Sequence, residues 1–431
     1  MIALFKALQV ILALSILIIV HESGHFLFAK LFHIKVEKFY LFFDVGGKAL
    51  ARWRWGETEF GIGWLPFGGY CKISGMVDES VDMDQLKSEP KPWEFRTHPA
   101  WQRLFVLAGG VLFNFIFAIV VYSVISGIWG TAYISNSDSS IYPNELAREM
   151  GFRPGDKVLK LDDYVPEDFG MLQADLARRE VRCATILRGQ DTVRLYIDQS
   201  MMGEVLNTPM MFDLAMPFVV DSVSSVPNAG VLRRGDRVLR VEGSEAGFLQ
   251  EALPILAEHA GQSVTVTVQR DGEELDLALQ VDTAGRIGVF IEKPVIKRET
   301  YKGLAAIPAG FKRTGSTIKG YLSDLKMVAK PSTGAYKSVG SFIAIGQVFP
   351  NKWDWYQFLS IMALLSIMLG VVNLIPIPGL DGGHIIFTIF EMITGRKPSD
   401  RFLYVMQLIG MVLLFGLMFL AFGNDIARLI H

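Results

Sequence analysis

The sequence predicts a polytopic α-helical membrane protein with four transmembrane helices, a membrane-associated β-loop and two tandem α+β modules of small β-barrel-like form. Three observations support this fold class: 51% of the 431 residues are hydrophobic, four long apolar runs are separated by polar segments, and one extramembrane stretch repeats itself. Charged residues make up only 20% of the chain and the formal net charge is −2. This composition gives no electrostatic reason to expect nucleic-acid binding.

The first apolar run extends from Ile2 to Leu31 and predicts a span over residues 1–32. It contains a His-Glu-x-x-His signature, formed by His21, Glu22 and His25. A single lysine precedes the signature and no small-x-small cleavage site follows the apolar stretch. We therefore expect a retained span rather than a signal peptide.

Three further apolar runs predict the remaining spans. Prolines and glycines interrupt the third run, which is too long for one straight crossing, so we expect a helix to about Ile375, a broken turn, and a short helix that resumes at His384. The predicted segments are the second span (101–130), the third (355–394), the fourth (395–423) and a C-terminal tail (424–431).

Basic residues beside the span ends predict the orientation of the chain. They cluster in the loop between the first and second spans and in the loop between the third and fourth, so these loops should be cytoplasmic. Both termini and the long segment 131–354 would then lie outside, in a bacterium the periplasm. Cys71 and Cys183 would lie on opposite sides of the membrane and could not form a disulfide.

The first loop, residues 33–100, contains a stretch typical of short strands. Residues 58–70 mix aromatic and β-branched residues with glycines, which predicts a β-hairpin or loop that dips into the bilayer edge. Such a strand could pair with an extended peptide; a small β-meander that serves only packing is the alternative. The candidate contact residues are Gly61, Gly63, Pro66, Gly68 and Gly69. Residues 74–91 are polar and acidic and predict a solvated loop.

The segment between the second and third spans contains an internal repeat. Residues 151–160 are echoed by residues 230–240, and each copy is followed by a helical stretch and two alternating strands. This arrangement resembles two PDZ domains in tandem, at 131–209 and 210–293, which have a groove for extended peptides. They could recognise a tail, exclude folded domains, or serve only as structural plugs. Their loops carry Gly155, Asp156, Gly235 and Asp236.

Residues 294–354 follow the repeat and contain an amphipathic segment. Apolar and basic residues alternate at helical spacing from Lys302 to Lys330, which predicts a helix on the outer membrane surface. We expect this segment to shape access to the membrane site.

The signature in the first span predicts half of a zinc site. Two histidines four residues apart project from one face of a helix, as two ligands of one zinc ion must. Glu22 is then placed to accept a proton from an activated water. Ionisable groups at membrane depth cost a few kcal/mol each and are kept mainly for function.

The broken third run offers the missing ligand. Asp381 is a lone carboxylate in an apolar stretch, and a cation would neutralise it; His384 is the competing ligand. Asn373 could hold the substrate backbone or a developing oxyanion, or it could form only a helix–helix hydrogen bond.

These motifs resemble the two signature motifs of the site-2 protease family, which are intramembrane zinc metalloproteases. Residues 21–25 and 373–383 carry the resemblance, and the elements at 109–115 and 66–70 are similar to those of the family. Four spans with two PDZ modules most resemble the bacterial branch that cuts anti-sigma factors. The resemblance implies one Zn²⁺ ion held by His21, His25 and Asp381, with Glu22 as the general base. It further implies a single-pass membrane substrate already cut outside the membrane, and PDZ modules that act as a size filter.

Three other functions remain open at this point. A metal transporter would need polar residues along several spans, and spans two and four carry little beyond Asn114 and Gln407. A PDZ scaffold with an inactive protease core is the second alternative. A zincin or prenyl-protein protease of the soluble type is the third, and Glu391 would be its most plausible third ligand.

Overall fold

The computed structural model describes residues 2–76, 89–224, 227–331, 336 and 340–430. Most of the predicted solvated loop at 74–91 lies outside the described residues. The chain forms two compact units. Unit 1 contains Met1–Gly130, Thr300–Ala329 and Tyr336–His431, and unit 2 contains Thr131–Glu299 and Lys330–Ala335.

The helices and strands are numbered in chain order. The α-helices are α1 (Ile2–Leu31), α2 (Ala100–Ile128), α3 (Glu145–Glu149), α4 (Leu172–Arg178), α5 (Met202–Asn207), α6 (Leu249–Glu258), α7 (Ala306–Val328), α8 (Phe342–Val348), α9 (Trp355–Leu374), α10 (Asp381–Thr394) and α11 (Asp400–Ile430). The strands are β1 (Val36–Phe43), β2 (Ala49–Trp55), β3 (Thr58–Gly63), β4 (Leu65–Ile73), β5 (Thr131–Ile134), β6 (Ile141–Pro143), β7 (Lys157–Leu161), β8 (Cys183–Arg188), β9 (Asp191–Tyr196), β10 (Phe212–Leu214), β11 (Val220–Val223), β12 (Arg237–Val241), β13 (Ser244–Glu245), β14 (Ser263–Arg270), β15 (Glu273–Gln280), β16 (Val289–Ile291) and β17 (Ile296–Glu299).

Four helices of the described chain are long and apolar enough to cross a membrane: α1, α2, α9 and the part of α11 from Arg401 to Ile426. This confirms the four predicted spans. Helix α11 continues beyond the predicted end of the fourth span. In this extension the buried Asp425 accepts hydrogen bonds from the backbone amide (2.8 Å) and the hydroxyl (2.5 Å) of Ser341.

The break in the third apolar run lies where the prolines predict it, but the next helix begins earlier than expected. Helix α9 ends at Leu374, and α10 begins at Asp381 rather than at His384. Pro376 and Pro378 cannot donate the backbone hydrogen bonds that would continue α9. Asp381 can open α10 because a carboxylate in the first turn of a helix interacts favourably with the helix dipole.

Helix α2 is the centre of unit 1. Its C-terminal half packs against Ala363, Ile367 and Val371 of α9. Towards its other end it approaches α1 very closely, since a Cβ atom on Gly109 would lie 2.6 Å from the carbonyl oxygen of Gly24. Two glycines therefore allow the helix backbones to touch at this level.

The amphipathic helix predicted at 302–330 forms as α7, and its apolar side packs against α2 and α9. A Cβ atom on Gly310 would lie 2.7 Å from the carbonyl oxygen of Ile119, and the Arg313 guanidinium lies 4.5 Å from the centre of the Tyr122 ring. Tyr321 and Leu325 join the same apolar cluster. The segment is helical, as the sequence pattern predicts. Part of its apolar face packs against α2 and α9, whereas Leu304, Phe311 and Leu322 are exposed, and its location at the membrane surface stays a prediction.

The first loop folds into a four-stranded sheet of order β2-β3-β1-β4. Strand β3 runs parallel to β1, while β4 runs antiparallel to β1 on its other side. The sequence suggests a hairpin in this stretch. In the structure, however, β3 and β4 do not pair with each other. Trp64 alone connects them, and one residue is too short for the two-residue turn of a tight hairpin.

Unit 2 contains the predicted repeat as two related α+β arrangements. The sheet of order β7-β8-β9 belongs to the first copy and the sheet of order β13-β12-β14-β15 to the second. Helix α4 follows β7 in the first copy, and α6 follows β13 in the second.

Equivalent ion pairs stabilise the repeated loops that carry Gly155 and Gly235. Arg188 donates two hydrogen bonds to Asp156, at 2.9 and 2.8 Å, and Arg270 donates two to Asp236, both at 2.7 Å. Burial alone would raise the pKa of Asp236, but Arg270 and the neighbouring loop amide hold that pKa below its usual value. Both aspartates have a structural role at this position, because their carboxylates already have partners.

Candidate metal centre

Helix α1 brings the two histidines of the signature together. His21 and His25 are buried on one face, and their Nε2 atoms lie 3.3 Å apart. This is the arrangement expected from a four-residue spacing on a helix. Both Nε2 atoms point into the same small space.

Helix α2 orients both imidazole rings from behind. His25 Nδ1 lies 2.8 Å from the carbonyl oxygen of Val106, and His21 Nδ1 lies 3.0 Å from the side-chain amide of Asn114. A proton on Nδ1 leaves the lone pair of Nε2 free for a metal. For His21 this requires the amide oxygen of Asn114 to face Nδ1, since that oxygen is the acceptor of the pair.

Gly110 leaves room for the site. A Cβ atom on this residue would lie 2.5 Å from His25 Nε2 and 2.6 Å from His21 Cε1. Such contacts are far shorter than ordinary van der Waals separations. Gly110 and Asn114 are four residues apart and therefore lie on one face of α2. On this face Gly110 leaves space for the imidazoles, and Asn114 contacts His21.

The carboxylate of Asp381 completes a triangle with the histidines. Its Oδ2 atom lies 3.2 Å from His21 Nε2 and 3.4 Å from His25 Nε2. This Oδ2 is buried and has no hydrogen-bond partner among the described residues. An unsatisfied buried carboxylate oxygen that faces two imidazole nitrogens has the chemistry of a cation site.

The dimensions of the triangle fit zinc. Bonds of about 2.0–2.1 Å in a tetrahedron place neighbouring donor atoms about 3.4 Å apart. The three observed separations, 3.3, 3.2 and 3.4 Å, match this value. Within the described part of the chain, His21, His25 and Asp381 form the one group of three such ligands that could hold a metal.

The two competing ligands have other partners. His384 Nε2 lies 3.1 Å from Oε1 of Gln407, although both residues also line the cavity at the site. Glu391, the third ligand expected of a soluble-type zincin, pairs instead with Arg103 of α2 at 2.5 Å. That ion pair removes the reason to assign Glu391 to a metal.

Glu22 lies beside the triangle, and the β-sheet holds its side chain. The carboxylate accepts a hydrogen bond from the backbone amide of Cys71 in β4. Asn373, at the end of α9, places its side-chain amide 3.3 Å from His21 Nε2. Both groups therefore reach the space where a substrate would meet the metal.

A cavity of about 600 Å³ opens onto the site. It is bounded by Gly69–Ile73 of β4 on one side and by Asn373, Gly379–Asp381 and His384 on the other. Gly69 lines this cavity, whereas Gly61, Gly63, Pro66 and Gly68 do not. Gly61 and Gly63 lie in β3, whose main chain is already paired with β1 and β2.

The sheet gives the cavity a polar wall outside the helices. Asp44 pairs with Lys38 at 2.9 Å and accepts a hydrogen bond from the Tyr70 hydroxyl at 2.8 Å. These contacts outweigh burial and hold the pKa of Asp44 below its usual value, while burial and the Asp44 carboxylate raise the pKa of Tyr70. Burial and Glu59 raise the pKa of Tyr40 to about 12. The tyrosines therefore stay protonated, and Asp44 stays charged.

Sequence reasoning assigned no role to the groups that surround the histidines and Glu22 and hold them in place. The carbonyl of Val106 and the amide of Cys71 are main-chain groups, which no residue type can reveal. Asn114 and Gly110 did carry a signal, because a glycine and an asparagine four residues apart in an apolar span are unusual for lipid-facing positions.

Replacing Gly110 with alanine tests the close fit. We expect Gly110→Ala to lower zinc affinity at least tenfold, because its methyl group would push against both imidazoles. Gly127→Ala is the matched control on the same helix, since its Cβ would meet only Ala306 at 3.4 Å. Zinc content of both purified variants, measured by elemental analysis after dialysis, gives the result. Equal zinc content in the two variants would contradict the geometry described here.

Comparisons with known proteins agree with this site. The model of peptidase family M50 matches residues 9–417. A Haemophilus influenzae protein named regulator of sigma E protease is 30% identical over 460 residues, covering 97% of this chain and 98% of the relative.

Two further relatives are similar over nearly their full lengths. The regulator of sigma-E protease RseP of Salmonella typhimurium is 30% identical, covering 97% of this chain and 98% of the relative. A Vibrio cholerae protein whose name carries the term zinc metalloprotease is 28% identical, covering 99% of both chains. The family match and these names confirm the resemblance drawn from the motifs: the chain belongs to peptidase family M50 and is a zinc metalloprotease of the site-2 protease family.

Proposed function

We propose that the protein hydrolyses peptide bonds of membrane proteins within the bilayer, with one zinc ion held by His21, His25 and Asp381. The single observation that carries the proposal is the triangle of donor atoms at 3.2–3.4 Å, formed by residues of two apolar segments and flanked by Glu22. When bound there, zinc supplies Lewis-acid activation of water and of the scissile carbonyl.

Glu22 is the general base of the proposed reaction. Its carboxylate takes one proton from water as the oxygen attacks the carbonyl carbon, and then gives that proton to the amide nitrogen as the C–N bond breaks. One water is consumed, and a carboxylic acid and an amine are formed, which at neutral pH exist as carboxylate and ammonium. The hydrogen bond from the Cys71 amide fixes Glu22 towards the site. Asn373 is a candidate for binding the substrate carbonyl as negative charge develops on its oxygen.

Strand β4 is the proposed binding edge for the substrate. A helical peptide bond is shielded by its own hydrogen bonds, so the substrate must unwind before cleavage. Among the described strands, β4 pairs with β1 alone and is an edge of the sheet, and it borders the cavity at Gly69 and Cys71. An unwound segment could add to this edge through main-chain hydrogen bonds.

The direction of the main-chain groups supports this placement. Along an edge strand, the main-chain N–H and C=O groups of successive residues point alternately towards the partner strand and away from it. Gly69 and Cys71 are two residues apart, so the main-chain groups of Gly69 point away from β1, as the Cys71 amide does. A peptide paired at Gly69 would therefore lie next to the general base. Interior strand β3, with Gly61 and Gly63, offers no such free edge.

The proposed substrates are single-pass membrane proteins of the anti-sigma factor type, and remnants of signal peptides are a further possible class. Two relatives carry the name regulator of sigma-E protease, which supports this choice. Cleavage would follow a first cut outside the membrane. The two α+β copies of unit 2 would act as PDZ-like modules that exclude bulky ectodomains.

The proposed location is the bacterial inner membrane, with the termini and unit 2 on the periplasmic side. Basic residues near the span ends support this orientation. The polar residues that a metal transporter would need along spans two and four are used within the site: Asn114 contacts His21, and Gln407 contacts His384. The inactive-scaffold alternative is disfavoured because each chemical group needed for hydrolysis is in place.

Exchanging the proposed base tests the function. We expect Glu22→Gln to keep its zinc and its thermal stability but to cleave a purified model transmembrane substrate 10²–10⁴ times more slowly, roughly the contribution of general base catalysis. Glu57→Gln is a matched control, because Glu57 is exposed and its ion pair is with Lys30 at the surface. Mass spectrometry of the products measures the rate. Near-normal cleavage by Glu22→Gln would refute the mechanism.

Disulfide trapping tests the proposed substrate strand. Cys71 borders the cavity, so a Cys183→Ser variant that also carries Glu22→Gln retains one natural probe beside the site. Single cysteines placed along a substrate span should cross-link to Cys71 at every second position, the period of a β-strand. Cross-linking at every third to fourth position would show that the substrate binds as a helix.

A further inference from the structure

We propose that α11, the last helix, positions Asp381 by holding the broken turn and the start of α10 from behind, through Gly410 and Gln407. The inference rests on the proposed metal site, and it assigns a positioning role to Gly410 and to Gln407, which also lines the cavity at the site. Gly410 and Gln407 are three residues apart and therefore share one face of α11.

Gly410 makes the closest approach between α11 and the broken turn. A Cβ atom on Gly410 would overlap the carbonyl oxygen of Pro378 and lie 2.8 Å from the nitrogen of Gly379. The approach is mutual, since a Cβ atom on Gly379 would lie 3.2 Å from the carbonyl carbon of Gly410. Gly379 has a φ of +97°, a conformation that side chains rarely allow. Two glycines therefore let the turn and the helix backbone touch.

Gln407 contacts His384, on the C-terminal side of Asp381. It is buried, with 3% of its surface exposed, and its Oε1 lies 3.1 Å from Nε2 of His384. His384 follows Asp381 by three residues in the first turn of α10. The two contacts from α11 thus hold the residues just before and just after the proposed ligand.

The turn needs support from outside because it contributes few hydrogen bonds of its own. Pro376 and Pro378 have no backbone N–H to donate. Within the turn, the amide of Ile377 donates to Ile375 at 2.7 Å, and the amide of Leu380 donates to Ile377 at 3.1 Å. A ligand at the end of such a turn can shift easily, and a shift of a few tenths of an ångström is enough to weaken a metal site.

The expected size of the effect follows from other metal sites. Groups that orient a ligand without binding the metal typically change metal affinity by about 10–100-fold when they are removed. We expect the contact at Gly410 to lie at the upper end of this range, because a methyl group there must displace the turn or the helix. Removing the hydrogen bond of Gln407 should have the smaller effect.

A matched pair of alanine variants tests the contact at Gly410. Gly416 lies on the same helix, and a Cβ atom there would meet no atom of the described residues within 4 Å. Gly410→Ala and Gly416→Ala therefore make the same chemical change, one at a crowded position and one at an open position. The full-length protein in detergent is titrated with zinc, and backbone hydrogen exchange is measured across residues 377–384. We expect Gly410→Ala to bind zinc 10–100 times more weakly and to exchange faster in this segment, with Gly416→Ala like the wild type.

Gln407 provides the second test, which remains valid if Gly410→Ala fails to fold. Gln407→Leu should weaken zinc binding and speed exchange at the start of α10. Gln407→Glu should restore both, because its carboxylate can still accept a hydrogen bond from His384. A merely space-filling role would make the leucine variant equal to the wild type.

The outcomes separate this inference from the proposed function. Equal zinc affinity and equal hydrogen exchange in Gly410→Ala and Gly416→Ala would overturn the positioning role while leaving the metal site intact. A wild-type protein that binds no zinc would overturn the proposed function instead. In that case the exchange rates across residues 377–384 still decide whether α11 holds the turn.

Discussion

The structure depends on one partly buried carboxylate, Asp381, which faces two imidazoles from a different part of the chain. Placing an aspartate within an apolar span costs roughly 2.5–3.5 kcal/mol, and its buried Oδ2 lacks a hydrogen-bond partner in the described structure. A metal ion bound between it and His21 and His25 would offset that cost. The same contact joins α1 to the start of α10, so the site and the packing of the spans stabilise each other.

Helix α2 makes this contact possible without contributing a ligand. Its glycines let α1 approach closely, and Val106 and Asn114 orient the two imidazoles. Strand β4 holds Glu22 from the opposite side through the Cys71 amide. The proposed general base and the proposed binding edge of the sheet are therefore parts of one arrangement, which would bring an unwound peptide to the place where its bond is cut.

The sequence predicts the parts of this account that depend on residue type and periodicity. Four apolar runs predict the spans, the His-Glu-x-x-His spacing predicts one face of a helix, and prolines predict the break before Asp381. It could not predict contacts set by the backbone. The pairing of β3 and β4 with β1 depends on a one-residue connection at Trp64, and the packing of α7 on α2 depends on the close approach at Gly310. The ion pair of Glu391 with Arg103 joins residues far apart in sequence, so no local pattern could show that Glu391 has another role.

The most direct test of the central claim is X-ray absorption spectroscopy at the zinc edge, on the purified full-length protein loaded with one equivalent of zinc. The account predicts a four-coordinate ion with two imidazole ligands and oxygen ligands at about 2.0–2.2 Å. Asp381→Ala should lose an oxygen ligand and keep both imidazoles. A spectrum with three imidazoles, which would place His384 on the metal, or one unchanged by Asp381→Ala, would contradict the divided site described here.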